Sequence, residues 1–90
     1  MGTAAIKIKI MPSNPDADLD DIQERAEKII KNSGSNRASS EREPIAFGLT
    51  AIITLFSWKE EDSTDELLDQ LREIDDVNSV EVIDFRRAFG

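Results

Sequence analysis

Cysteine and histidine are both missing from this sequence. Without cysteine there is no disulfide framework, no thiolate metal site and no thiol nucleophile. Without histidine the usual general base, the usual zinc ligand and the usual physiological pH switch are gone. Glycine is scarce, four in 90 residues, and none stands at phosphate-cradle spacing or before a Lys-Ser/Thr pair. The chain is therefore not expected to hold a nucleotide or any other cofactor itself. No apolar run approaches the ~18–20 residues of a membrane span. The N-terminus also lacks the basic segment, apolar stretch and small-residue cleavage site of a signal peptide. A soluble, cytoplasmic protein with no membrane partner is expected. Positive charge is in deficit, 11 Lys and Arg against 19 Asp and Glu, for a net charge of −8. That balance argues against direct nucleic-acid binding through the phosphate backbone. It suits docking on a basic surface, or plain solubility at high salt or heat.

What is present is enough for one small globular domain. Hydrophobic residues make up 39% and charged residues 33%, so a core can form and disorder is not favoured. Residues 4–11 alternate, with Ile6, Ile8 and Ile10 on one face and Lys7 and Lys9 on the other, which predicts a half-buried strand. Pro12 and Pro15 end it. Asp16 or Asp18 then caps a helix over residues 19–31, whose stripe is Leu19, Ile22, Ala26, Ile29 and Ile30. Acidic residues crowd its first turn, lysines its last, and Gly34 fits the stop. Residues 35–43 are polar and read as an edge strand or ordered loop. Residues 49–58 form the strongest strand signal, apolar on both faces and hence central. Ser63 and Glu66 have capping-box spacing ahead of a second helix, with Leu67, Leu68, Leu71 and Ile74 as its stripe. Asp75 to Asn78 breaks that helix, and residues 80–85 make a last strand before Arg86, Arg87 and a short tail.

The order strand, helix, strand, strand, helix, strand predicts an α+β fold: a ferredoxin-like βαββαβ sandwich. Four antiparallel strands would carry two helices on one face. Right-handed crossovers put the first and third strands in the centre, and these are the most apolar.

Several residues are candidates for chemistry. The run Asp16, Asp18, Asp20, Asp21 has the spacing of a calcium loop, but Asp21 stands where such a loop needs glycine. An acidic helix start explains the same residues. Phe56 and Trp58 share a strand face and suit either core packing or stacking on single-stranded RNA. The stretch Pro44-Ile45-Ala46-Phe47-Gly48-Leu49 is the most informative. Pro44 fixes φ and donates no ladder hydrogen bond, and Gly48 permits a backbone that other residues resist. Phe47 between them is either a core residue at a strand entrance or a bulky side chain offered to a partner. Arg86 and Arg87 end an acidic chain with two permanent cations. They are either a solvated pair at a frayed end or a site for anionic groups.

With Pro44–Leu49 and the ending Val77-Asn78-Ser79-Val80-Glu81-Val82-Ile83-Asp84-Phe85-Arg86-Arg87, the chain resembles the archaeal translation elongation factor 1-beta family. It is similar to the guanine-nucleotide-exchange domain of the eukaryotic factor, over essentially its whole length. The resemblance implies a single exchange domain over residues 1–90, with the ferredoxin-like fold. It implies a factor that promotes GDP release and GTP loading on elongation factor 1-alpha, the GTPase that brings aminoacyl-tRNA to the ribosome. No homo-oligomer is expected, and no bond is made or broken, so the chain is not read as an enzyme. The implied partner-binding residues are Pro44, Ile45, Phe47, Gly48, Arg86 and Arg87. In the family the aromatic before the motif glycine docks on the GTPase, and a terminal basic residue reaches toward its magnesium site. Arg87 aligns with that position, where the eukaryotic factor carries Lys, and Arg86 can share the role. Phe47 and Arg87 are expected side by side, acting as one contact. A ferredoxin-like RNA-binding module is the alternative reading. A small acylphosphatase-like hydrolase is a third, although residues 11–15 form no phosphate cradle.

Overall fold

The computed structural model describes residues 2–35 and 37–87. The tail Ala88, Phe89 and Gly90 lies outside them. Strand β1 (Thr3–Pro12) is followed by helix α1 (Leu19–Asn32), strand β2 (Ala38–Pro44), a short helical turn (Ala46–Gly48) and strand β3 (Thr50–Lys59). Helix α2 (Asp65–Arg72) and strand β4 (Val77–Arg87) complete the order. The strands make one antiparallel sheet in the order β2-β3-β1-β4, with the two most apolar strands inside, as expected.

The alternation in β1 fixes which face is covered. Ile6 lies opposite Phe56, Ile8 opposite Thr54 and Ile10 opposite Ile52 across the β1–β3 ladder. All are buried, and the core they form takes Ile22, Ala26 and Ile30 from α1 and Leu67, Leu68 and Leu71 from α2. Both helices therefore cover the same sheet face. Burying each such aliphatic side chain contributes about 1.5–3 kcal/mol.

Asp18 caps α1, its carboxylate accepting from the Asp21 amide at 3.1 Å. Asp20 and Asp21 stand in the first helical turn, so the acidic run is a helix start and not a calcium loop. Gly34 follows the helix with φ 118°, a conformation that favours glycine.

The start and end of α2 and the start of β4 differ from the sequence reading. Thr64, not Ser63, is the cap residue of α2, and it makes no side-chain cap bond. Ser63 Oγ instead accepts from the Asp65 amide at 3.2 Å, so the hydroxyl serves the helix start from one residue further out. Helix α2 also ends at Arg72, before Ile74, which is buried from the following turn. Asp76 takes φ 68° there and lets Val77 enter the sheet three residues earlier than the apolar pattern suggests.

Candidate functional site

The Pro44–Leu49 stretch is the tip of the β2–β3 hairpin. The two strands stay in register up to Pro44 opposite Thr50. The Ile45 amide donates to the Leu49 carbonyl at 2.7 Å, and the Leu49 amide returns to the Ala46 carbonyl at 3.3 Å. Two backbone bonds thus close a very short loop. The closure requires left-handed conformations at consecutive positions, Phe47 (φ 64°) and Gly48 (φ 75°). Glycine takes this at no steric cost. For an aromatic residue it costs about 1–2 kcal/mol.

Phe47 is 93% exposed. The reading as a core residue at a strand entrance is thereby excluded, which leaves the reading as a side chain offered to a partner. An apolar ring held in a strained backbone, with almost none of its surface buried, contributes little to folding. Such strain persists where the surrounding bonds over-determine it.

A polar clamp supports this end of the hairpin. Arg42, near the end of β2, donates to Gln23 of α1 through Nε (3.1 Å) and Nη2 (2.9 Å), and Nη2 also reaches Asp20 Oδ1 at 2.8 Å. One turn along α1, Ser40 Oγ donates to Glu27 Oε2 at 2.7 Å. Ser40 Oγ also lies 2.9 Å from Thr54 Oγ1, a fully buried hydroxyl among the core isoleucines. The edge strand is therefore tied to both the helix above it and the strand beside it. Sequence patterning gave no sign of this clamp, because its members come from three elements and none repeats.

Arg86 and Arg87 lie at the other end of the molecule. In the β1–β4 ladder Arg87 lies opposite Ala4 and Arg86 opposite Ala5. Ala4 in turn faces Trp58, near the end of β3. Both guanidiniums are held loosely. Arg86 Nε donates to Asp84 Oδ2 at 3.1 Å, and Arg87 Nε lies 3.4 Å from Glu60 Oε1. The two arginine side chains are 80% and 82% exposed, so each ion pair is worth about 0–1 kcal/mol and is easily exchanged. Glu60 escaped the sequence reading because only the fold brings it to Arg87.

The expected side-by-side placement of Phe47 and Arg87 is wrong. Phe47 lies beyond the start of β3, whereas Arg87 lies level with its end. At about 3.3 Å per strand residue, the distance from Thr50 to Trp58 alone is roughly 26 Å. The molecule's longest extent is 41 Å. The cause is topological. An antiparallel βαββαβ sheet puts the β2–β3 tip at the same end of the sheet as the end of β1 and the start of β4, where Pro12 faces Val77. The end of β4 must then lie at the opposite edge. Pro44, Ile45, Phe47 and Gly48 are brought together; Arg86 and Arg87 form a separate pair.

The stacking platform that the RNA-binding alternative would build from Phe56 and Trp58 does not form. Phe56 and Trp58 face the helices, are buried, and pack edge to face with ring centroids 5.8 Å apart. The indole N–H donates to the Asp62 carbonyl at 3.1 Å. Neither ring is available to a base.

Fold and site together define a ferredoxin-like α+β protein that presents its unusual groups on the surface, at two ends of one sheet. The family model described as the EF-1 guanine nucleotide exchange domain matches residues 5–88. The chain belongs to that family. Among curated relatives, elongation factor 1-beta of Haloarcula marismortui is 40% identical over 83 residues, covering 91% of this chain and 93% of its own. Elongation factor 1-beta of Methanocaldococcus jannaschii is 35% identical over 89 residues, covering 98% of this chain and all of its own. The solved ACT domain from the GTP pyrophosphokinase of Chlorobium tepidum superposes with a TM-score of 0.62 at 19% identity, over 88% of this chain and 96% of that one. The de novo designed protein Foldit4 does so with a TM-score of 0.62 at 13% identity, over 98% of each. These two likenesses concern the fold alone. Among the described residues no helix is long and apolar enough to cross a membrane.

Proposed function

We propose that this chain promotes GDP release and GTP loading on elongation factor 1-alpha, and that its two sheet ends contact that GTPase at two separate places. The single observation that carries the reading is Phe47, an almost fully exposed aromatic held in a left-handed backbone by a closed hairpin tip, inside a chain of this family. An apolar anchor of that kind gains its energy only when a partner covers it. Pro44, Ile45 and Gly48 build the tip that presents it.

The arginine end supplies the second contact. Much of a GTPase's hold on GDP runs through Mg²⁺, which bridges nucleotide phosphates and protein oxygens. A guanidinium entering that neighbourhood competes for the same oxygens. Arg87 is a planar fork and not a compact ammonium, so it takes the oxygens two at a time, and Arg86 adds a second fork. Their present partners, Glu60 and Asp84, are surface carboxylates that a stronger anionic site displaces. Exchange factor and nucleotide then weaken each other reciprocally. A coupling of about 4 kcal/mol lowers GDP affinity roughly a thousandfold in the ternary complex. No bond is broken, so absent histidine and cysteine are no obstacle.

The test is release of a fluorescent GDP from elongation factor 1-alpha. Wild-type chain is expected to accelerate it; Phe47→Ala and Arg87→Ala are each expected to slow it while melting normally. No acceleration by wild type removes the function, and full acceleration by the Phe47→Ala/Arg87→Ala pair removes the site assignment.

A further inference from the structure

Three of the large apolar side chains left exposed, Val82, Ile83 and Phe85, lie on one strand, β4. They are 41%, 46% and 49% exposed. Strand β4 ends the sheet, and among the described residues no strand pairs with its outer edge. Natural edges are usually shortened, charged or covered. The other edge, β2, follows that rule with Glu41, Arg42 and Glu43. The start of β4 does so too, since Arg72 of α2 donates to the Val80 carbonyl at 3.0 Å. Beyond it residues 81–86 keep charges at Glu81, Asp84 and Arg86, but expose Val82, Ile83 and Phe85 between them.

We propose that this segment of β4 pairs antiparallel with the same segment of a second copy of the chain, forming a weak symmetric dimer. The occupant is chosen by the strand's own pattern. A register shift between Lys7 and Ile8 of β1 leaves Ile83 without an opposite residue. Beyond it the alternation changes phase. Val82 lies opposite Ile8 and Phe85 opposite Ile6, so both occupy the helix-covered face despite their odd spacing. Glu81 lies opposite Lys9 and Arg86 opposite Ala5, so both occupy the open face. In a two-fold pairing centred between Ile83 and Asp84, Glu81 meets Arg86 and Val82 meets Phe85, each twice, on either side of a central Ile83–Asp84 pair. The two outer kinds of pair fall on matching faces. A strand without the bulge would put the members of each pair on opposite faces.

Charge complements shape in that register. The Arg86 guanidinium has donors to spare beyond its bond to Asp84, and Glu81 is exposed. Apolar and opposite-charge cross-strand pairs are the contacts that stabilise a sheet. Six paired residues bury far less than the roughly 1,200 Å² of a stable complex, so the dimer is weak and reversible. This departs from the sequence expectation of no homo-oligomer, which rested on nothing that reports an edge. It does not depend on the exchange activity.

Sedimentation equilibrium on the full chain, with circular dichroism to show that each variant is folded, tests the pairing. Wild type is expected to reach a monomer–dimer equilibrium by about 1 mM, the scale of a weak complex. Glu81→Arg and Arg86→Glu each place like charges opposite one another, and each is expected to weaken the dimer about tenfold or more. Their equimolar mixture restores both opposite-charge pairs and is expected to associate at least as well as wild type. Phe85→Ser, which removes the apolar pair without touching charge, is expected to abolish association. A monomeric wild type at that concentration overturns the proposal. So does a dimer indifferent to the single reversals, or a mixture that associates no better than its parts.

Discussion

Phe47 and Arg87 occupy opposite ends of the same sheet, one at the β2–β3 tip and the other level with Ala4 and Trp58. The length of β3, Thr50–Lys59, separates them. Whatever each does, it does independently of the other within this molecule.

Independence has a kinetic consequence. Sites more than about 7–10 Å apart without shared partners usually contribute additively in free energy. The slowing of GDP release by Phe47→Ala and by Arg87→Ala is expected to multiply in the double variant, to within about twofold, the scale of a 0.3–0.5 kcal/mol coupling. Stopped-flow release with the four proteins checks it. A double variant no worse than the poorer single one would show that the two ends act as one contact.

The exposure of Phe47 makes a stability prediction. Phe47→Ala removes almost no buried surface and is expected to change unfolding free energy by no more than about 0.5 kcal/mol. Phe47→Gly relieves the left-handed strain and is expected to stabilise by up to about 1 kcal/mol, after the greater freedom of glycine in the unfolded chain is counted. Urea unfolding of both variants reads this. A loss of 3 kcal/mol or so for Phe47→Ala, the cost of emptying a core site, would place the ring inside.

Gly48→Ala separates backbone strain from crowding. A Cβ at this position meets only Pro15 Cβ at 3.9 Å, ordinary contact distance. The substitution is therefore expected to cost about 1 kcal/mol through φ alone, in thermal or denaturant unfolding. Loosening of the tip is also expected to weaken docking of Phe47, seen as slower exchange at subsaturating factor.

The buried hydroxyl at Thr54 gives a paired prediction. The single Ser40 hydroxyl proton goes to Glu27, so Thr54 must donate to Ser40 Oγ. Ser40→Ala leaves that buried donor without a partner and is expected to cost about 1–3 kcal/mol. Thr54→Val removes donor and cost together, leaves Ser40 bonded to Glu27, and is expected to cost less than about 1 kcal/mol. Equal losses in the two variants, measured by urea unfolding, would mean that the donor direction is reversed.

The fold was legible because its signals are local. The alternation of Ile6, Ile8 and Ile10, the helical stripe from Leu19 to Ile30 and the two-sided apolarity of β3 each determine an element alone. Element order and crossover handedness then leave few arrangements. The Ser63 cap and the start of β4 were misjudged by one and three residues, because backbone choices at Thr64 and Asp76 decide them and neither has a distinctive side-chain pattern. The exposure of Phe47 was not decidable locally, since a Phe between Pro and Gly fits a core entrance as well as a tip. Its distance from Arg87 was implicit in the topology but hidden in the linear order, where both simply flank strands. The Arg42 clamp, the Glu60 partner of Arg87 and the matched faces around the β4 bulge depend on register, which one sequence does not display.

The closed hairpin tip has a thermodynamic consequence for whatever receives it. Its two backbone bonds and left-handed torsions are set when the protein folds, so the ring meets a receptor with its loop already ordered. Capture then requires no rearrangement of this segment, and encounter should be limited by diffusion and orientation, with a rate that rises little on stiffening the loop further.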